Sequence, residues 1–511
     1  MKKIYALLAT LVLTITVGAQ TLKVTTANGT YQYPASEMTE QSSAIFTGGT
    51  TLTIGNDVFN ISDITDISVV SNPSSDVEDN TVNIVYNGTT ATVTMADNVM
   101  PYVTATVSGA HVTIMQTNTA AVDDDEITYV LSGTTTDGGF SLDGSYKCTV
   151  ALAGLTLTNP SGAAINISNG KRIQISAKKN TVNTLTDGAG GSQTGCIYSK
   201  GQIQLQGNGT LNVTGKTKHA IKSGDYIRVK NLTLNITSAV KDGINCNEYF
   251  LMESGTFTIS NAGDEGVQCE LDGTSSTGET IDHEDEDSGN IYIEGGILTV
   301  NAAGEGIESK GELRITGGEV CVTAKDDAIN SASHLTISGG KVYACSTGND
   351  GIDANGNCYI KGGLVYAVGA REPEVAIDAN TERGYKLYVE GGTIIAIGGL
   401  ESGASLTQSC YSASSWNKNT WYALTVDNDT FAFKTPSSGG NSLVVSGASQ
   451  PTLKSGVTVS GGTSIFGGVG YTDASVIGGS SVSISAYSGG NGGPGGGGWQ
   501  GGGWPGGGGW H

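Results

Sequence analysis

Carboxylates recur through the middle of this 511-residue chain at a fixed place in a short repeated phrase. Asp242, Glu265, Glu305, Asp327 and Asp350 each stand two residues before an aliphatic position. Glu308, Asp353 and Asp378 stand one residue after it, with Asn330 in the same place. Asp264 and Asp326 lie beside the first set, whereas His219 and Val375 replace the acid in outer copies. Carboxylates stacked ~5 Å apart repel by about 1 kcal/mol per pair in water and about 3 kcal/mol at an effective dielectric of 20. Such a ladder must be solvated or neutralised. Calcium takes roughly six to eight oxygens from carboxylates, carbonyls and water, which neighbouring repeats can supply without a contiguous motif. The alternative is a solvated turn, where Asp and Asn suit the corner conformation. Asp264 and Asp326 weigh toward the metal.

Aromatic residues recur in the same way. Tyr343 and Tyr366 hold equivalent positions in successive repeats, as do Tyr359 and Tyr388, and Tyr292 stands at the same strand position as the second pair. Rings at that spacing suit stacking on sugar faces, or else a structural stack beside a corner. Trp416 and Trp421 carry the same ambiguity. The segment 270–289 holds eight acids, but an EF-hand register from Asp282 puts Asp287 where glycine is needed and Ile293 where glutamate is needed. It reads as a solvated acidic loop or a calcium-dependent loop beside a binding face. The eight cysteines show no CxxC pair for zinc and read as buried thiols. Cys246 and Cys269 fall at equivalent places, where parallel Cβ vectors disfavour a disulfide. A uronate lyase would need calcium plus a Lys or Arg base, for which Lys241, Lys310, Lys325 and Arg314 lie near the acids. None forms a specific signature. A hydrolase would need paired carboxylates, and the sequence offers many with no means of choosing.

The element that positions these residues is itself a repeat. The aliphatic positions Ile221, Ile244, Val267, Ile307, Ile329, Ile352 and Ile377 are spaced 23, 23, 40, 22, 23 and 25 residues apart, and Ile165 and Ile197 extend the series. Between them run strands broken by glycine pairs, such as LRITGGEVCV at 313–322 and LTISGGKVYA at 335–344. A period near 23 built from short β-rich pieces is that of a parallel β-helix. Alternation places Leu313, Ile315, Val320 and Val322 inside, and Arg314, Thr316, Glu319 and Cys321 outside. Nine anchors at ~4.8 Å per rung make a rod about 40 Å long.

Composition sets the surroundings. With Lys+Arg 26 against Asp+Glu 48, the net charge is -22, which repels phosphate backbones and makes nucleic acid an unsuitable partner. Lys2 and Lys3, an apolar run from Ile4 to Val17 and a small-residue site at 17–19 read as a signal peptide over 1–19. Without a cysteine at the cleavage point, and with no later apolar run of ~18 residues, the expected product is secreted, periplasmic or held at the cell surface. The expected organisation is a β-rich N-terminal domain at 20–118, the β-helix at 127–400, a β-rich C-terminal cap at 401–488, and a flexible Gly/Trp-rich tail at 489–511.

The DG-I-x-S/A phrases, the IxGGxVxV strands and the stretch 175–215 resemble a bacterial family of secreted carbohydrate-binding proteins over residues 127–400. The resemblance implies an all-β fold with a right-handed, pectate-lyase-like parallel β-helix. It also implies binding of cellulose-like and acidic polysaccharides, with calcium on the solenoid. The expectation is therefore a non-catalytic polysaccharide-binding protein, with uronate lyase or adhesive surface protein as alternatives. The glycan and the oligomeric state are left open.

Overall fold

The computed structural model describes residues 20–34, 45–47, 50–54, 57–71, 77–271 and 288–489. The expected leader and nearly all of the Gly/Trp-rich tail lie outside them, as does most of the acidic segment. Each turn of the central region contributes three strands. Ile307–Ser309, Leu313–Ile315 and Glu319–Ala324 make one turn, and Ile329–Ser331, Leu335–Ile337 and Lys341–Ser346 the next. Each strand pairs in parallel with its counterpart one rung away, giving three ladders along a β-solenoid of about 10 turns.

The first ladder carries the anchors in the register that their spacing implies. Ile165, Ile197, Ile221, Ile244, Val267, Ile307, Ile329 and Ile352 pair in succession, and bridges continue to Ile377 and Leu400. The 40-residue interval is absorbed outside the ladder, because Val267 still pairs with Ile307. Alternate side chains from all three ladders fill one continuous apolar core. Burial of this kind, at about 25 cal/mol per Å² of apolar surface, is the main force holding rung to rung.

The glycine pairs turn the chain between the second and third ladders. The second glycine of each pair is left-handed: φ is 83° at Gly296, 80° at Gly318, 77° at Gly340, 84° at Gly363 and 91° at Gly392. The first glycine needs space instead, since a Cβ on Gly317 would sit 2.2 Å from the carbonyl oxygen of Glu294. Both positions of the pair are therefore constrained, for different reasons.

The flanks join the solenoid rather than standing apart. Thr81–Asn87 pairs in parallel with Ile127–Thr135, and Ala110–Gln116 with Gly138–Gly144, so the N-terminal region supplies the opening rungs. Leu443–Ser446 pairs antiparallel with Thr393–Ile397 and ends the third ladder. Cys410–Ala413 pairs antiparallel with Leu443–Ser446 and with Ile484–Tyr487, and six other C-terminal strands build a sheet that includes Trp421–Val426, Asp429–Lys434 and Thr452–Ser460. This sheet packs against the outer side of the third ladder over its last rungs.

That packing corrects two sequence readings. Cys321, Tyr343 and Tyr366 do face outward from the ladder, but Tyr343 and Tyr366 are only 7% and 0% exposed. They form a second apolar core with Phe431, Phe433 and Phe466. The Tyr366 ring lies 5.3 Å from Phe433, and the Tyr343 ring 5.8 Å from Phe466. Both tyrosines are interface packing and present no face to a sugar. All eight cysteines are free and buried, as expected. Cys246 pairs in register with Cys269 without a disulfide.

Candidate functional site

The acid before each anchor sits at the corner leading into the first ladder. Its backbone carbonyl ties two rungs together: Gly243 N–H donates to Glu265 O, Gly266 N–H to Glu305 O and Gly306 N–H to Asp327 O, each at 3.0 Å. The ladder thereby fixes the backbone and stacks the side chains. Asp242, Glu265, Glu308, Asp327 and Asp350 are buried, and Glu305, Asp353 and Asp378 are half-buried.

Three groups converge. Asp242, Asp264 and Glu265 bring carboxylate oxygens within 4.8 Å of one another, as do Glu265, Glu305 and Glu308, and Asp350, Asp353 and Asp378. Asp326 and Asp327 fall outside these groups. Asp327 instead accepts hydrogen bonds from Asp350 N–H at 2.9 Å and Asn330 Nδ2 at 3.2 Å, while Asp326 accepts from Asn349 Nδ2 at 2.8 Å. Glu265 belongs to two groups, so adjacent rungs share it.

The electrostatics follow from burial. Glu265 is pushed up to about 9 by burial and by the neighbouring Asp242 carboxylate. Asp378 rises to about 9 through burial and its contact with Glu401, and Asp350 to about 7 chiefly through burial. Burial and the Asp353 charge raise Asp327 to about 8. Glu305 and Asp353 shift in the same direction, burial being the main cause. Asp242 is the exception. Burial opposes its ionisation, but His219, Glu265 and Asn245 outweigh it and hold the carboxyl below its usual range. His219 Nδ1 lies 3.0 Å from Asp242 Oδ2, and Asn245 Nδ2 donates to the same oxygen at 2.7 Å.

The donor set can hold a metal ion. Asp242 Oδ1 and Glu265 Oε2 are buried and make no hydrogen bond among the described residues. Lys241 Nζ, at 3.5 and 3.6 Å, is the countercharge beside them. Orphaned buried oxygens among clustered carboxyls have the chemistry of a hard-cation site. A polar chain runs beside them: Lys222 donates to Asn245, Asn245 to Gln268, and Gln268 to Glu308, which also binds Lys310. Its members stand one residue after successive anchors, where neutral amides carry no charge to mark them in the sequence.

The remaining tyrosines lie in the outer row of the second ladder, where Tyr292, Arg314, Thr336, Tyr359 and Tyr388 are consecutive. Tyr292 is buried beside Tyr249 and Leu251, a correction to its reading as an open sugar platform. Tyr359 and Tyr388 are half-buried and stacked, with centroids 4.9 Å apart and planes 11° from parallel. Lys361 Nζ lies 4.9 Å from the Tyr359 centroid, while His334 meets both Tyr359 and the exposed Tyr385 edge-on. Trp416 packs at the C-terminal interface and donates to Gly440 O at 2.9 Å, whereas Trp421 remains half-buried against Tyr471.

One relative, a carbohydrate-binding domain-containing protein of Acetivibrio thermocellus, is 27% identical over 111 residues, which cover 20% of this chain and 39% of that protein. The match thus spans well under half of the relative's length. A solved structure, described as a polysaccharide lyase-like protein from C. thermocellum in a gadolinium derivative, is 21% identical, with a TM-score of 0.37, covering 56% of this chain and 93% of its own. A family model, described as carbohydrate-binding domain-containing protein, matches residues 108–308 and 288–465, which is more than half of the chain. The chain belongs to this carbohydrate-binding domain-containing family.

Proposed function

We propose that this protein is an exported, non-catalytic polysaccharide-binding β-helix that recognises plant-type or acidic glycans and carries calcium at its acidic corners. The observation that carries the reading is the family match, which runs through most of the solenoid, over residues 108–308 and 288–465. Three convergent carboxyl groups support the calcium, since they offer hard oxygen donors already held in place by the ladder. The half-buried Tyr359–Tyr388 pair, with Lys361 over the Tyr359 ring, supports a contact that offers a sugar both aromatic surface and a cation.

Non-catalytic binding is favoured over a uronate lyase by the state of three of the four candidate bases, Lys241, Lys310 and Arg314. Burial lowers the affinity of Lys241 for its proton, but Asp242, Glu265 and Asp264 outweigh that and keep the amine charged. A charged ammonium cannot abstract a proton. Lys310 and Arg314 are bound to Glu308 and Glu312. Affinity electrophoresis on neutral and uronate polysaccharides, run with calcium and with chelator, tests the reading. Retention on uronate polysaccharide that falls on chelation is the expected result. Absence of retention on every glycan would overturn it, and an ultraviolet absorbance rise from unsaturated uronide ends would replace it with the lyase.

A further inference from the structure

The outer side of the third ladder has an uncovered half. Five successive strands, Val182–Asp187, Thr210–Gly215, Thr233–Ala239, Thr256–Ala262 and Ile297–Ala302, precede the rungs overlain by the C-terminal sheet. Their outward side chains form rows in register. The central row is Thr184, Asn212, Asn235, Thr258 and Thr299. Beside it a second row runs from Val182 through three threonines to Ile297.

No outward position on these five strands bears a charge. In a chain with 74 charged residues (26 + 48) this is a marked gap. The outer row of the second ladder has Arg228 and Arg314, and the first ladder has Lys222, Glu308 and Asp353. The uncharged face also exposes apolar side chains, with Val182 at 62% and Ile297 at 43%. Its amides are aligned along the axis: Asn235 Nδ2 donates to Asn212 Oδ1 at 2.9 Å, and Asn212 Nδ2 reaches Thr184 Oγ1 at 3.5 Å. At ~4.8 Å per rung and ~3.3 Å per residue, the five strands present a plane of about 19 by 13 Å.

Removing water from such a plane costs far less than desolvating a charged one, and depletion of charge marks the centres of interfaces. Exposed methyl groups and hydroxyls together match a polymer that is itself half apolar and densely hydroxylated. A carboxylated glycan finds no cationic side chain here and no acidic corner to hold a bridging ion. We infer that the Thr/Asn face of the third ladder is a docking surface for a neutral polysaccharide chain, separate from the acidic corners and from the Tyr359–Tyr388 pair. The inference rests on the carbohydrate-binding reading and adds to it a second, cation-independent surface. All five strands fall within the family-matched span 108–308.

Native gels containing neutral mixed-linkage glucan, neutral xylan or polygalacturonate test it with the full chain. Two variants are compared: Thr258→Glu, which puts a charge at the centre, and Thr258→Val with Thr299→Val, which keeps shape and removes hydroxyls. Wild type should be retained by at least one neutral glycan with or without chelator, and both variants should bind that glycan about tenfold or more weakly at unchanged melting temperature. Equal retention of wild type and variants would overturn the face while leaving the carbohydrate-binding reading intact. Retention of wild type on polygalacturonate alone would do the same. Retention on nothing would overturn both. A wild-type dimer in sedimentation that Thr258→Glu dissociates would assign the face to a second copy instead and overturn the inference.

Discussion

Replacing Asp353 by asparagine should change stability in opposite directions depending on the cation. Asp350, Asp353 and Asp378 bring carboxylate oxygens within 4.8 Å of one another. At that separation each ionised pair repels by about 3 kcal/mol at an effective dielectric of 20. With chelator present at pH 10, where Asp350 and Asp378 are largely ionised, Asp353→Asn removes two such pairs, so the variant should melt above wild type. With calcium a hundredfold above its dissociation constant, wild type gains about 2.7 kcal/mol by linkage. The variant, having lost a ligand charge, should gain less and melt at or below wild type. Asp353 is a suitable target because its neighbours Asp327 and Asp350 each accept a hydrogen bond from backbone N–H groups of the next rung, which their substitution would forfeit. Calorimetry of both proteins, with calcium and with chelator, measures the crossing. A melting difference of the same sign and size in both conditions would refute the shared-cation argument and return the corner to a solvated turn.

Other outcomes follow from the same geometry. Asp350, Asp327, Glu265 and Asp378 take up protons at about 7 to 9 when folded, against about 4 when unfolded, so the cation-free protein holds protons that the unfolded chain has released. Its stability should therefore fall as pH rises from about 4 toward 9, and an unchanged melting temperature between pH 6 and 9 in chelator would contradict this. Gly318→Ala forces a side chain into φ 80° with backbone 2.8 Å away and should cost about 1–3 kcal/mol in denaturant titration; a loss below the error of the fit would count against the corner account. Tyr366→Ala should cost about 3–5 kcal/mol through the cavity left under Phe433. Tyr388→Ala should cost little stability but weaken glycan retention, and equal effects from the two tyrosines would erase the distinction between packing and platform.

The repeat was legible because one physical demand recurs at one spacing. Each rung needs an aliphatic side chain at the same inward place, so the spacing of Ile221 through Ile377 already carries the register in which they pair. Outward positions carry no such constraint within the ladder. Tyr343 and Tyr359 look alike in sequence, yet one is covered and the other open, because what covers Tyr343 is Phe466, more than a hundred residues away. The acidic corners were legible as a row, but not their grouping. Which three carboxyls meet depends on side-chain reach across a rung, and that brought in Asp264 and separated Asp326 and Asp327. The polar chain through Asn245 and Gln268 was missed for a related reason: neutral amides bear no charge to flag them, although they carry the hydrogen bonds between rungs.

The lateral placement of the C-terminal sheet has a consequence for how the rod comes apart. A bare solenoid frays from its ends, since each terminal rung has one neighbour and can peel away singly. Here Phe466 N–H donates to Glu319 Oε1 at 2.7 Å, and Tyr343, Tyr366 and Ile395 from later rungs are buried against the same sheet. No rung from Glu319 to Ile397 can leave without stripping that shared cover. The last turns are thus fused into one cooperative block, and the weakest link moves inward to the uncovered rungs before residue 319. Native-state hydrogen exchange should show this as near-uniform protection across the block, with a step at its inner boundary.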